Sequence, residues 1–193
     1  MGSIKLPHAS GNSMSIGSPA SNPASDLTLT LPPTIGAARQ ALKNGDTAGN
    51  LVFADPIYFK AGNDSDVSAN NIIVFDQERA DNASAYSTST GKFTCPVAGI
   101  YLFIAQVMRT SVSGNFQASI RKESGGSESI LGIGLQGNAS GVNEYAMVTI
   151  TTIGSCLAND TVWVRCDAGN CYGNTGDNSR YSQFMGVLLV WAN

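Results

Sequence analysis

The chain has 193 residues, which suffices for one well-packed core or for one domain with an appendage. Charged residues make up only 13% of the chain and the formal net charge is -3, so the sequence carries no basic footprint for nucleic acid. No apolar run approaches the ~18 residues that span a bilayer, so neither nucleic-acid binding nor membrane insertion is expected.

The segment 1–26 is rich in Ser, Gly, Pro and Asn and holds few large apolar side chains. Such a segment cannot bury enough surface on its own to offset its ordering entropy, so we expect a partner protein or further copies of the chain to hold it. It lacks the apolar core of a secretion signal, which predicts synthesis in the cytosol.

The next segment, 26–32, alternates apolar and polar side chains and ends at a Pro-Pro pair, which predicts a half-buried strand. Residues 40–43 and 51–54 are predicted to form a hairpin. The turn between them contains an Asn-Gly pair and a Gly-Asn pair, which are the residues that tolerate positive φ in such turns.

From residue 55 onward, short apolar or alternating runs recur between turn signals, which is typical of a β-sandwich or jelly roll. Two runs, 100–107 and 187–191, are almost continuously apolar, as expected of strands covered on both faces. One face of a two-layer sandwich should meet water, so this surplus apolar face indicates contact with another subunit, with cover by a thick loop as the alternative. The predicted strands are 57–60, 72–75, 91–95, 100–109, 116–122, 129–135, 145–153, 161–166 and 183–191.

Aromatic and glycine residues of this part follow a specific spacing that resembles the signature of the C1q domain. The stretch 90–103 is similar to two consecutive strands of that family, 160–165 is similar to its penultimate strand, and 182–189 is similar to its closing Ser-x-Phe-x-Gly-x-Leu-Leu strand. The chain departs from the family at Ala105, where an aromatic residue is usual. The residues assigned to the core and trimer signature are Phe75, Tyr86, Phe93, Gly99, Tyr101, Phe103, Phe184 and Gly186.

The resemblance implies an all-β fold, a ten-stranded C1q/TNF-like jelly-roll sandwich over residues 55–193. It also implies a homotrimer in which one sheet of each subunit faces the three-fold axis. Bulky side chains at same-face spacing predict core packing in their own right. The signature residues are therefore expected to specify the fold rather than to carry chemistry.

A second resemblance lies before residue 55. The stretches 27–36 and 40–53 are similar to a module of structural proteins of tailed bacteriophages, which precedes a fibre or knob. It implies that residues 1–54 form a β-rich stalk that anchors the chain to a capsid or tail protein in the virion. The anchoring residues are Leu27, Leu29, Leu31 and Pro32.

Together the two resemblances favour a non-enzymatic virion protein, a trimeric capsid decoration or head fibre with its C1q-like knob outward. The alternatives are a tail-fibre tip that binds a host-surface receptor or glycan, and a secreted C1q-like binding module.

No catalytic residue, metal or cofactor is expected. The single histidine, His8, lies in the low-complexity N-terminal stretch, which argues against a catalytic triad. The four cysteines are expected to be buried free thiols, with a Cys166–Cys171 disulfide and a zinc site as alternatives. The carboxylates between residues 55 and 81 predict a solvated acidic rim rather than a calcium site.

Three loops are predicted to lie at the end of the sandwich opposite the stalk, because successive loops of a jelly roll alternate between its two ends. They are 110–115, 136–143 and 167–181, and they are rich in Asn, Gly and Ser. Polar loops around aromatic or Arg side chains are common at recognition surfaces, and plain soluble loop tips are the alternative. The candidate ligand contacts are Tyr172, Asp177, Arg180 and Tyr181.

Overall fold

The computed structural model divides the chain into two compact units, residues 1–54 and 55–193, and shows β-strands but no helix in the part it describes. No helix of that part is therefore long and apolar enough to cross a membrane. The described residues are 3–7, 11, 13–17, 28–45, 47, 49–110, 114–137, 146–173 and 181–192.

The described residues of the first unit form two antiparallel strand pairs. Strand β1 (Ser3–Pro7) pairs with β2 (Ser13–Gly17), and β3 (Ala41–Asn44) pairs with β4 (Leu51–Ala54). The second pair confirms the predicted hairpin, with its first strand shifted by one residue. Gly49 lies at positive φ in the turn, as the Gly-Asn pair indicated.

The strand predicted for 26–32 was wrong over the residues that the structure describes. Only Thr30 joins a ladder, through a parallel bridge to Asn50. Leu29 and Leu31 are 62% and 69% exposed, so the alternating face is not half-buried. Pro32 follows directly and has no N–H to donate, which stops the ladder from extending. Leu27 lies outside the described residues.

The described residues of the second unit form thirteen strands, most of them short. In chain order they are β5 (Tyr58–Gly62), β6 (Val67–Ser68), β7 (Asn71–Ile72), β8 (Gln77–Asp81), β9 (Tyr86–Ser87), β10 (Lys92–Thr94), β11 (Gly99–Met108), β12 (Phe116–Ser124), β13 (Ser127–Gln136), β14 (Met147–Cys156), β15 (Thr161–Ala168), β16 (Asn170–Cys171) and β17 (Gln183–Trp191).

These strands form two main sheets that face each other as a jelly roll, which confirms the predicted fold class. The six-stranded sheet has the order β13-β12-β15-β10-β9, with β7 also paired to β15. The five-stranded sheet has the order β14-β11-β17-β5-β8. Every neighbouring pair in both sheets is antiparallel.

The core between the sheets consists mainly of aromatic rings. Phe59 stacks on Phe93 with 4.5 Å between ring centroids, and Phe184 meets Phe59 edge-on at 4.9 Å. Tyr101 stacks on Phe103 at 5.8 Å. Because β11 and β17 alternate buried and partly exposed residues, one face of each strand enters this core.

Gly186 is needed where this core is tightest. A Cβ atom at this position would lie 2.6 Å from Cε1 of Phe59 and 2.9 Å from Cδ1 of Phe103. Both rings are almost fully buried and cannot retreat into solvent. The glycine of the signature therefore makes room for two aromatic rings.

All eight signature residues are buried in the second unit. The hydroxyl of Tyr86 accepts a hydrogen bond from the Phe75 N–H at 3.2 Å, and that of Tyr101 donates to the Val97 carbonyl at 2.8 Å. Burial is the main reason why the pKa of each of these tyrosines is raised. Ala105, the departure from the family pattern, is fully buried and lies opposite Phe184.

Candidate interaction surfaces

The outward face of the five-stranded sheet carries an apolar patch. Its first row follows the register across four strands, from Ile153 through Leu102 and Val187 to Tyr58. The next row adds Ile104 and Met185 from the two central strands. Leu102, Ile104, Met185 and Val187 are partly buried, whereas Tyr58 and Ile153 are exposed. We call these six residues the face patch.

The same face becomes polar toward the other end of the sheet. Thr151 and Lys60 already flank the second row of the face patch. The row beyond it contains Thr149, Gln106 and Gln183 in register. The face therefore has an apolar half near the C-terminal end of β17 and a polar half near its start.

A second apolar patch lies on β13, which is the edge strand of the six-stranded sheet. Ile130, Ile133 and Leu135 are 48%, 55% and 66% exposed. They lie opposite Arg121, Ser119 and Gln117 of β12 in the ladder. We call these three residues the edge patch. An exposed apolar edge strand attracts further chains unless something covers it.

The edge patch keeps its position because β13 is fastened to β14, the edge strand of the other sheet. The Thr152 hydroxyl donates to the Leu131 carbonyl at 2.9 Å. Gly134 lets the two strands come close, since a Cβ there would lie 2.8 Å from Cγ1 of Ile150. The two sheets are therefore joined along the side of the sandwich formed by β13 and β14.

The rest of the outward face of the six-stranded sheet is charged, but its charges are paired. Lys92 lies 4.3 Å above the ring of Trp163 and 3.3 Å from the Glu123 carboxylate. Arg121 bonds to both Glu128 and Asp167. Partial burial lowers the pKa of Arg121, but these two bonds outweigh it and leave the pKa raised. The pairing leaves little charge to attract a ligand.

The predicted recognition loops leave the sandwich at one common end. Arg109 bridges to Cys171, and the Thr110 N–H donates to the Asn170 carbonyl at 2.9 Å, which joins the loops after β11 and β15. Gln136 lies opposite Phe116, so the loop after β13 begins at the same end. The described part of the second unit starts and ends at the other end, because Tyr58 pairs with Val187.

Two of the four candidate contact residues are described. The rings of Tyr172 and Tyr181 lie with centroids 6.0 Å apart, both partly buried. Asp177 and Arg180 lie outside the described residues. The structure therefore brings the two tyrosines together and leaves the other two candidates as predictions.

The buried residue Ser182, which was not among the predicted site residues, connects three segments at this end by hydrogen bonds. The Ser182 hydroxyl donates to the Tyr172 carbonyl at 2.9 Å and accepts the Met108 N–H at 3.1 Å. The Ser182 carbonyl accepts the Asn63 N–H at 3.0 Å. Ser182 belongs to the closing motif, but its spacing alone carried no sign of these partners.

Three carboxylates between residues 55 and 81 accept hydrogen bonds from backbone N–H groups, two of them at this end and the third, Asp81, at the other end beside Phe59. Asp76 accepts the Asp64 N–H at 3.1 Å, and Asp66 accepts the Gly173 N–H at 2.9 Å. Asp81 accepts the Tyr86 N–H at 2.7 Å. Within the described ranges no three His, Cys, Asp or Glu side chains are grouped as metal ligands.

Comparison with protein families and curated proteins places this architecture among known domains. The family model described as the C1q domain matches residues 58–189. Caprin-2 of Danio rerio is 26% identical over 117 residues, which are 61% of this chain and 12% of Caprin-2. A complement C1q subcomponent of Bos taurus is 27% identical over 140 residues, which are 71% of this chain and 54% of that protein. The chain thus spans about half of the bovine protein's length and far less of Caprin-2.

Solved structures share the fold. The globular domain of the zebrafish complement 1qA protein superposes with a TM-score of 0.57 at 21% identity, over 72% of this chain and 100% of that one. Eiger TNF from S. frugiperda gives 0.61 at 17% identity, over 72% and 95%. Murine APRIL gives 0.55 at 14% identity, over 70% and 100%. At these identities the likeness supports the jelly-roll fold alone.

Proposed function

Because the chain belongs to the C1q domain family, we propose that it acts as a homotrimeric, non-enzymatic binding or structural module. Domains of this family form homotrimers and generally bind partners rather than catalyse reactions. The observation that carries the proposal is the presence of two different apolar patches on the sandwich, one on a sheet face and one on a strand edge.

A cyclic trimer needs two such patches. Around a three-fold axis each subunit meets its neighbour head to tail, so the contact joins two different surfaces. The face patch and the edge patch supply these surfaces. Covering the exposed part of each Leu or Ile contributes on the order of 1 kcal/mol, since full burial is worth about 1.5–3 kcal/mol. With several such side chains on both sides, each contact gains several kcal/mol from apolar burial.

Light scattering of the purified chain tests the assembly. The wild-type chain should have the mass of a trimer. Leu102→Asp in the face patch and Leu135→Asp in the edge patch should each give monomers, because each places a charge in the contact. Thr94→Asp, on the outward face of the six-stranded sheet away from both patches, should remain trimeric. A monomeric wild-type chain would overturn the proposal.

Mixing the two monomeric variants tests whether the patches meet each other. Each variant retains the patch that the other has lost, so one intact contact can form between them. The mixture should therefore contain heterodimers but no trimers. The two patches that remain uncovered in the heterodimer both carry the introduced aspartate. If the mixture stays monomeric, the face patch does not bind the edge patch.

For the first unit we propose attachment to a capsid or tail protein, with the trimer displayed on the particle. The resemblance of residues 27–36 and 40–53 to a bacteriophage structural module supports this role. Exposed apolar side chains in the same unit are a second support, since Leu29, Leu31, Ile35 and Leu42 are exposed. Such side chains in one short segment favour a surface that a partner covers.

A secreted binding module fits the family equally well, and the similarity to the bovine complement C1q subcomponent favours it. A tail-fibre tip is the further alternative, with host-surface receptor binding at the Tyr172 and Tyr181 end. Labelling with an antibody on intact particles separates the three. Many copies over the shell support decoration, and a few copies at the tail support a fibre tip. Protein found only free in the medium would refute both virion roles.

A further inference from the structure

All four cysteines of the chain are buried, and they form two pairs of contacting thiols. A hydrogen bond joins the thiols of Cys95 and Cys156, and another joins those of Cys166 and Cys171. None of the four is bonded to another cysteine in the described structure. Each thiol therefore has one other cysteine thiol as its hydrogen-bond neighbour.

The first pair lies between the two sheets. Cys95 directly follows β10 of the six-stranded sheet, and Cys156 ends β14 of the five-stranded sheet. Backbone hydrogen bonds fix both positions. The Cys95 N–H donates to the Asp160 carbonyl at 2.8 Å, the Asn159 N–H donates to the Cys95 carbonyl at 2.9 Å, and Cys156 lies in register with Gly99. A bond between these sulfurs would join the sheets covalently.

The second pair lies at the base of the loop that leads to Tyr172. Cys166 belongs to β15 and Cys171 to β16. The chain turns between them at Gly169, which has a φ of 75°, and the Cys166 thiol lies 3.5 Å from the Gly169 carbonyl. A bond between these sulfurs would close this turn.

The two pairs are too far apart to act as one site. The Cys95 N–H is hydrogen-bonded to the Asp160 carbonyl, and Cys166 lies six residues after Asp160 along the same extended strand. At about 3.3 Å per residue the separation is about 20 Å. Zinc–sulfur bonds are only about 2.3 Å long, so the four thiols cannot share a single metal ion. Each cysteine has only its own partner within reach.

We propose that the folded chain oxidises to two disulfides, Cys95–Cys156 and Cys166–Cys171, when it meets a low-molecular-weight disulfide such as oxidised glutathione. One thiolate of a pair attacks the oxidant, forms a mixed disulfide and releases one glutathione. Its partner thiolate then attacks the mixed disulfide at the protein sulfur and displaces the second glutathione. Each pair loses two electrons and two protons, and one oxidised glutathione becomes two glutathione thiols.

The Lys122 ammonium lies beside Cys156, which favours Cys156 as the attacking thiol of the first pair. The hydrogen bond from Cys95 lowers the pKa of the Cys156 thiol, and the nearby Lys122 ammonium lowers it further against the opposing effect of burial. Lys122 is held there by its bond to the Ser155 carbonyl at 2.9 Å. The chain neighbours of Cys156, Ser155 and Leu157, are both exposed, so the oxidant has only a short distance to reach the sulfur.

Peptide mapping of the purified full chain tests the proposal. The folded protein is treated with oxidised glutathione, alkylated in concentrated guanidinium and digested. We expect no alkylated cysteine and only the two proposed linkages. The matched control is the same oxidation of the unfolded chain, in which four cysteines can pair in three ways, so linkages that cross between the two pairs should appear there.

A single substitution sharpens the test. Cys95→Ser should stop Cys156 at its mixed disulfide with glutathione, which adds the mass of one glutathione to its peptide, while Cys166 and Cys171 still link. The proposal is overturned if the folded chain retains four alkylatable thiols, if linkages cross between the pairs, or if the folded and unfolded chains give the same distribution.

Discussion

Replacing Gly186 with alanine tests how tightly the aromatic core is packed. The added Cβ would lie 2.6 Å from Cε1 of Phe59 and 2.9 Å from Cδ1 of Phe103, well inside van der Waals contact. Overpacking of this kind costs about 1–3 kcal/mol. Alanine regains about 0.5–1 kcal/mol over glycine within a strand. The expected net loss is therefore about 1–2 kcal/mol in the free energy of unfolding.

Urea denaturation followed by tryptophan fluorescence measures this loss, at one fixed protomer concentration because assembly adds to stability. Gly137→Ala is the matched control, since nothing lies within 4 Å of its added Cβ. Phe59→Leu should recover part of the loss when combined with Gly186→Ala, as expected of residues in direct contact. The reasoning fails if Gly186→Ala is as stable as Gly137→Ala, or if the double variant shows simple additivity.

Two further predictions concern charged side chains. Burial raises the pKa of Asp160, but bonds from Ser124, the Leu157 N–H and Lys122 outweigh it and leave the pKa lowered. The contribution of Asp160 to the free energy of unfolding is thus fully present above its unfolded pKa of about 3.9. It is lost as the pH falls through the lower folded pKa. Asp160→Asn should flatten this acid limb of a pH–stability curve, and an unchanged limb would refute the assignment. Lys92→Met should red-shift the tryptophan emission and cost about 0.5–1 kcal/mol by removing the cation from the Trp163 ring, whereas an unaltered spectrum would show that Lys92 does not shield it.

The sequence predicted the long central strands well because their pattern is local. In β11, alternate side chains enter the aromatic core, and the outward ones except Gln106 are also apolar, so the run indicated both a strand and a covered outer face. By contrast, β8 was missed. Its sequence Gln-Glu-Arg-Ala-Asp shows no apolar alternation, because an edge strand that is half exposed can be charged.

The edge patch and the Cys95–Cys156 pair could not be predicted from the sequence, for different reasons. A bulge at Leu131, which has no partner in the ladder, breaks the alternation of β13, so Ile130 and Ile133 share an exposed side although they are three residues apart. Cys95 and Cys156 are far apart in the chain and meet only because the two sheets pack. The Cys166–Cys171 pair, which is local, was the one pairing that sequence reasoning raised.

The face patch and the edge patch also determine how a ring of this kind would come together. The first two subunits gain one contact and leave one of each patch uncovered. The third subunit gains two contacts while losing its freedom of motion only once. Closure is thus strongly favoured over pairing, and dimers of the wild-type chain, which can close into trimers, should be scarce. On dilution such a protein should pass directly from trimers to monomers. At equilibrium the concentration of trimers should be proportional to the third power of the monomer concentration.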